Sequence, residues 1–285
     1  MLKKICYNLS TMASGDKGSF KNTAKQGASQ VGAQSKKQKN LKHIAIIPDG
    51  NRRWARARGL PAIEGHRQGI KTAQKILKAF HKFDVPYITL WGFSTENWKR
   101  PKHEVEALFT MFTHYLNQLA DPKKLQEYQA HVRVIGRKDR INKSLKNAID
   151  KAHAANASVK NPKFTLIIAI DYGGQDQIRR AILQMLHDIK RGKLALDQAI
   201  KTLESEQALE FIDSFMETHG VPYPDIIMRT SGEKRLSGLY VWQNAYAELF
   251  FVDKHFPDLT VQDIEDIINQ FYHRDRRFGG DSKKK

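Results

Sequence analysis

The sequence contains no run of eighteen or more apolar residues, so it offers no membrane-spanning helix. It has one cysteine, Cys6, in 285 residues. That excludes an intramolecular disulfide framework and a cysteine-cage zinc site. It also suits a reducing compartment, so a cytoplasmic location is the expectation. The start, MLKKICYNLSTMASG, is basic but lacks a continuous apolar stretch, which makes it a poor signal peptide. No Walker loop and no GxGxxG follows an apolar run, and the common nucleotide-binding folds lose support. Acids are the scarcer charge: 30 Asp and Glu face 48 Lys and Arg, a net charge of +18.

What is present looks like a soluble globular protein, 40% apolar and 27% charged, with length for one large domain or two small ones. A charge of +18 invites a nucleic-acid reading, so its position matters. Residues 1–40 carry eight lysines against Asp16, with no helical or strand period, and read as a disordered basic tail. Residues 281–285 add a second, short basic tail. About half the net charge therefore belongs to the body, 41–280.

The body alternates short apolar runs with longer amphipathic ones. Strands are predicted at 43–47, 87–93, 132–135, 164–170, 226–228 and 249–252. Several are apolar on both faces, as buried parallel strands require. Helical stripes run through Ile70, Ala73, Ile76, Leu77 and Phe80, and through Val105, Leu108, Phe109, Phe112, Tyr115, Leu116 and Leu119. Two more follow, at Ile178, Ile182, Met185 and Ile189, and at Ile264, Ile267, Ile268 and Phe271. The alternation predicts one α/β domain with a mostly parallel sheet. Ligands should then gather beyond the carboxyl ends of its strands.

Three polar clusters fall at such ends. The first is Pro48-Asp49-Gly50-Asn51-Arg52-Arg53-Trp54. Pro48 stops the strand, Gly50 permits a tight turn, and Asn51 is a candidate helix cap. A helix start flanked by Arg52 and Arg53 suits an anion, and Asp49 beside it suits Mg²⁺. The alternative is an Asp-Gly turn with solvated arginines. The second cluster is Ser94-Thr95-Glu96-Asn97-Trp98-Lys99-Arg100; its alternative is a helix cap with a surface tryptophan. In the third, Arg229 and Arg235 could clamp a diphosphate, with Ser237 donating. Glu248, opening a later apolar run, is either a cap or a metal ligand. Arg276-Arg277-Phe278-Gly279-Gly280 adds anion-binding capacity or is a free tail.

These segments, with Gly65-His66, Asp171-Tyr172-Gly173-Gly174, Trp242-Gln243 and Ala245-Tyr246-Ala247-Glu248, resemble the cis-prenyltransferases in order and spacing from about 41 to 280. The resemblance implies a homodimer with a central six-stranded sheet, flanking helices and a hydrophobic tunnel. It implies condensation of isopentenyl diphosphate onto an allylic diphosphate such as farnesyl diphosphate, with cis double bonds and Mg²⁺. The DDxxD pair of trans-prenyltransferases is absent. Carried over by position, Asp49 engages Mg²⁺ and assists the leaving diphosphate, and Glu248 is the second Mg²⁺ contact. Gly50, Asn51, Arg52 and Arg53 cradle the allylic diphosphate, with Trp54 and His66 nearby. Arg229, Arg235 and Ser237 hold isopentenyl diphosphate, with Leu236 between them. Ser94, Thr95, Glu96, Trp98 and Arg100 line the substrate side. Asn97 stands at the place usually named proton acceptor; a diphosphate oxygen or relayed water is the alternative. The helix at 105–119 would wall the tunnel and Phe164 would sit at its floor. Arg277-Phe278-Gly279 resembles an RxG motif that reaches a partner's site.

Three positions depart from the family pattern. Ala62 replaces a cation, a contact that Arg52 or Arg67 could supply; Arg52 replaces a glycine; and Asp171 replaces an asparagine. A non-catalytic subunit should lack Asp49 and the arginine clamp, which are present here. A nucleic-acid binder should interleave aromatics with basic residues in a known module, which is not seen. The basic tail and an insoluble product suggest peripheral contact with the inner membrane.

Overall fold

Six short apolar runs become six strands. The computed structural model describes residues 40–274. The expectations for residues 1–39, for the 276–280 segment and for the C-terminal tail lie outside them. In chain order the elements are β1 (His43–Ile47), α1 (Asn51–Arg56), α2 (Ala62–Phe80), β2 (Tyr87–Ser94), α3 (Lys102–Leu119), α4 (Pro122–Tyr128), β3 (Ala130–Ile135) and α5 (Lys143–Ala155). There follow β4 (Phe164–Tyr172), α6 (Gly174–Lys190), α7 (Leu196–Leu203), α8 (Ala208–Asp213), β5 (Ile226–Arg229), β6 (Glu248–Phe251) and α9 (Val261–His273).

The sheet order is β3-β4-β2-β1-β5-β6, and every pairing is parallel. The expected α/β fold with a six-stranded sheet is thus observed, and "mostly parallel" becomes wholly parallel among the described residues. Alternation within the strands divides the core in two. Ile44, Ile46, Ile88, Leu90, Leu166 and Ile168 face one side and pack against α2, α3, α5 and α9. Ala45, Ile47, Trp91, Ile167 and Ala169 face the other and meet Leu239 and Tyr240. Each of these large side chains is almost wholly buried, which stabilises the fold by roughly 1.5–3 kcal/mol apiece before entropy is counted.

Three of the four helical stripes are core. The stripe on α6 is not: Ile182 and Leu186 are more than half exposed, and the helix buries only Gly174, Gln177 and Ala181. A helical period shows that a face is apolar, not that this chain covers it. α7 also leaves apolar residues exposed, Leu196 and Ile200.

Candidate active site

The carboxyl ends of the three adjacent strands β2, β1 and β5 open into one cleft of about 660 Å³. Its wall holds Asp49 and six arginines: Arg52, Arg53, Arg56, Arg100, Arg229 and Arg235.

β1 ends at Ile47, and the chain turns at Gly50 with φ +93°. A Cβ there would lie 1.8 Å from the Ser231 hydroxyl oxygen, so only glycine fits between the two loops. This turn aims Asp49 across the sheet at Arg229, the last residue of β5. Arg229 donates from Nη2 to Asp49 Oδ2 at 2.7 Å and from Nε at 3.3 Å. Its Nη1 donates to the Arg235 carbonyl at 2.6 Å and to Ser237 Oγ at 2.7 Å. Arg229 is therefore held rigidly, with its side chain only 7% exposed. Burial pushes the Asp49 carboxyl up, but the Arg229 hydrogen bonds and charge, the Gly50 N–H and Arg53 outweigh it. The net position is below the ordinary value, and Asp49 is a carboxylate at neutral pH.

Asn51 does not cap α1. Gly50 occupies the cap position, and the Asn51 amide instead donates to the Pro48 carbonyl at 2.9 Å. The amide oxygen is left buried without a partner. His66, one turn into α2, presents an equally unpartnered buried Nε2. Burial first, then the charges of Arg100 and Arg52, lower its pKa to about 4, so it is neutral at pH 7. Arg52 lines the cleft and pairs with Glu104 at 3.6 Å, whereas Arg67 pairs with Glu64 and does not line it. Of the two candidates to compensate for Ala62, Arg52 is the one in place. Arg53 donates to Glu233 at 2.9 Å, and Arg235 bonds the same carboxylate. Glu233 thus sits between two cations of the cleft wall.

β2 reaches the cleft through a register irregularity at Gly92 and Phe93 in its pairing with β4. A bulge of this kind re-aims the end of a strand. Ser94 then opens a turn in which it caps Asn97 and Asn97 Oδ1 accepts the Ser94 N–H at 3.2 Å. Ser94, Glu96, Asn97 and Arg100 line the cleft.

Four expected binding residues do not line it. Trp54 donates its indole N–H to Asp258 at 2.7 Å and carries Arg58 on its face. Trp98 turns inward, packs edge-on against Phe93 and Phe109, and donates to the buried Asp171 at 3.0 Å. Thr95 bonds Glu96 at 2.7 Å. Leu236 packs on the smaller core cluster. Glu248 lies elsewhere altogether. Register sets it level with Ile226 and Ile44, five residues behind Asp49 and two strands away. At about 3.3 Å per residue, the strand from Ile44 to Ile47 alone covers about 10 Å, and two strand spacings of about 4.8 Å separate Glu248 and Asp49 sideways. Glu248 and Asp49 of one chain cannot share a metal ion, and Glu248 accepts from Arg274 at 2.8 Å. Arg56 and Glu233 were missed as lining residues; the (i, i+4) spacing of Arg56 from Arg52 on α1 was the available signal.

Below the cleft lies an apolar cavity of about 90 Å³ between the sheet and the helices α2 and α3. Pro48, Asn51, His66 and Gly92 line both spaces, so they share a wall. Leu108, Phe112 and Tyr115 of α3 line it as expected. Phe164 does not: it packs edge-on against Phe80, with ring centroids 5.0 Å apart. No open tunnel is observed among the described residues.

A cationic cleft joined to an apolar cavity is the arrangement a transferase of amphiphilic diphosphates requires. The comparisons agree. A family model described as putative undecaprenyl diphosphate synthase matches residues 47–279. An isoprenyl transferase of Agrobacterium fabrum is 38% identical over 83% of this chain and 91% of its own. A tritrans,polycis-undecaprenyl-diphosphate synthase (geranylgeranyl-diphosphate specific) of Pyrococcus abyssi is 40% identical over 84% of this chain and 86% of its own. The crystal structure of lavandulyl diphosphate synthase from Lavandula x intermedia, in complex with dimethylallyl diphosphate, superposes with a TM-score of 0.74 at 30% identity. It covers 84% of this chain and 98% of that one. The chain belongs to the undecaprenyl diphosphate synthase family of prenyltransferases.

Proposed function

We propose that the protein condenses isopentenyl diphosphate onto an allylic diphosphate with cis geometry, producing a polyprenyl diphosphate. One observation carries the reading: the six-arginine cleft and the apolar cavity share a wall. Arginines on both sides of Asp49 bind the two diphosphates; Arg52, Arg53, Arg56 and Arg100 hold the allylic one, with Gly50 and Asn51 at its turn. Arg229, Arg235 and Ser237 hold isopentenyl diphosphate. The allylic C–O bond breaks, and C4 of isopentenyl diphosphate bonds to the freed carbon. A proton leaves C2 to complete the new double bond.

The leaving diphosphate develops negative charge, and fixed arginines stabilise it without reorganising. Neutral His66 and Asn51 stand where the allylic carbon passes from cleft to cavity. Asn97 accepts through its oxygen from Ser94, which leaves a diphosphate oxygen as the better acceptor for the C2 proton.

Mg²⁺ fits this donor set, because it takes one or two carboxylates together with phosphate oxygens. Asp49 would be its protein ligand, and it would supply charge neutralisation at the diphosphate. Glu248 reaches such an ion only from a second copy of the chain. A homodimer through the apolar faces of α6 and α7 accounts for their exposure. The lysines of residues 1–40 suit attraction to an anionic leaflet. Among the described residues no helix is long and apolar enough to cross a membrane.

The test is incubation with farnesyl diphosphate, labelled isopentenyl diphosphate and Mg²⁺, followed by product-length and double-bond analysis. Labelled cis-polyprenyl diphosphate supports the reading; no labelled prenyl product, or an all-trans one, overturns it.

A further inference from the structure

Asp49 is held by its backbone as well as by its carboxylate. Its carbonyl oxygen accepts from the Thr230 hydroxyl at 2.7 Å and from the Phe256 N–H at 3.0 Å. One donor follows β5 and the other lies beyond β6, so two separate segments bracket this carbonyl. The residues next to those donors are Ser231 and His255. Ser231 Oγ and His255 Nδ1 stand 2.7 Å apart in a hydrogen bond. The backbones meet at the same place. The Ser231 N–H donates to the Lys254 carbonyl at 2.8 Å, and the Gly232 N–H donates to the Val252 carbonyl at 2.9 Å.

Gly50 rests against that side-chain pair. A Cβ on Gly50 would meet His255 Nδ1 at 2.6 Å as well as the Ser231 hydroxyl. Neither Ser231 nor His255 lines the cleft. The pair is a floor beneath the turn that presents Asp49.

The backbone of Ser231 makes the hydroxyl conspicuous. Its φ is +74°, in the left-handed region that glycine enters freely and serine does not. Such strain persists only where the surrounding structure imposes it. A glycine would meet the backbone demand more easily. What serine adds is the hydroxyl, and the hydroxyl is spent on His255.

Resting on the prenyltransferase reading, we infer that Ser231 and His255 are positioning residues that set the place of Asp49 in the chemical step. The hydrogen bond fixes the separation of the two segments whose neighbouring donors, Thr230 and Phe256, grip the Asp49 carbonyl. Without it the Gly50 turn gains freedom, and the Asp49 carboxylate drifts from the leaving diphosphate. Both residues act through Asp49 and touch no substrate.

The experiment measures condensation kinetics and thermal melts for the parent, Ser231→Gly, His255→Leu and His255→Asn. Ser231→Gly and His255→Leu each remove the contact. Each should lower kcat by about tenfold, inside the roughly 10²-fold scale of a misplaced reacting group. KM for both substrates should stay within about twofold, because substrate contacts are intact. Ser231→Gly loses a hydrogen bond but relieves the backbone, so its melting temperature should stay within about 4 °C of the parent. His255→Asn places an amide atom where Nδ1 stands and should restore most of the parental kcat. Added to Asp49→Ala, Ser231→Gly should slow turnover by no more than about a further twofold, as residues acting through one group do. A parental kcat in either Ser231→Gly or His255→Leu overturns the inference. So does a further loss of about tenfold in the Asp49→Ala background. With an active parent, these failures leave the functional reading standing; a parent that performs no condensation overturns both.

Discussion

Replacing Asp49 by alanine separates catalysis from stability. The variant removes two hydrogen bonds that Arg229 donates to Asp49 Oδ2, at 2.7 and 3.3 Å, and the one that the Gly50 N–H donates to Oδ1 at 2.6 Å. Arg229 is nearly buried, yet it keeps the Arg235 carbonyl and the Ser237 hydroxyl. The Asp49 side chain is 28% exposed, so water enters the space it leaves. The cost should therefore be about 1–3 kcal/mol. That is less than the roughly 3–5 kcal/mol of breaking a fully buried pair. A domain with about 5–15 kcal/mol of stability survives it. Turnover should fall by at least about 10²-fold, the scale of losing one preorganised charge-stabilising group. Asp49→Asn keeps the shape and one acceptor; it should cost less stability and as much turnover. Urea midpoints measure the first effect and steady-state condensation at saturating substrates the second. Turnover within tenfold of the parent in either variant refutes the role of Asp49. An unchanged midpoint in Asp49→Ala refutes the energetic weight given to the Arg229 pair.

Acid should weaken the fold through two histidines. Burial is the first cause at both His43 and His66, and each has its pKa lowered to about 4 from 6.5. Between those values the unfolded chain binds protons that the folded chain refuses, so stability falls as pH drops from 6.5 to 4. Each contributes up to about 3 kcal/mol, and a flat urea midpoint across that window would contradict the assignment. Arg235 has a side chain 60% exposed, so Arg235→Ala should leave stability within about 0.5 kcal/mol. It should raise KM for isopentenyl diphosphate about 10- to 150-fold, the worth of a charged hydrogen bond at about 1.5–3 kcal/mol. Trp98→Phe should cost about 1–3 kcal/mol by removing one of three donors to the wholly buried Asp171, which keeps its two bonds from Arg140, while both KM values stay within twofold. Raised KM with unchanged stability would return Trp98 to the binding surface.

Strand positions were legible because apolar runs such as Ile44 to Ile47 permit little else in a sheet buried on both faces. The cleft was legible because parallel topology gathers the strand ends: Arg229 closes β5, and Asp49, Arg52, Arg100 and Arg235 follow such ends. Side-chain direction within a turn was not legible. Over the short 3₁₀ helix that follows β2, Glu96 and Asn97 join Ser94 in the cleft while Trp98 turns to the core. Glu248 does open its strand, but the motif did not show that this start lies at the end of the sheet away from Asp49 of the same chain. The α6 stripe misled because amphipathicity does not identify the covering surface.

The Asp49–Arg229 contact spans 180 residues. During synthesis at roughly 5–20 residues per second, Arg229 emerges about 10–40 s after Asp49. Until then β1 has its β2 neighbour but no β5, and Asp49 has no clamp opposite it. Half the cleft exists on the nascent chain long before the other half. A diphosphate therefore has no complete site to stabilise until the sheet is finished, and ligand-induced protection reports completion of the fold rather than its beginning.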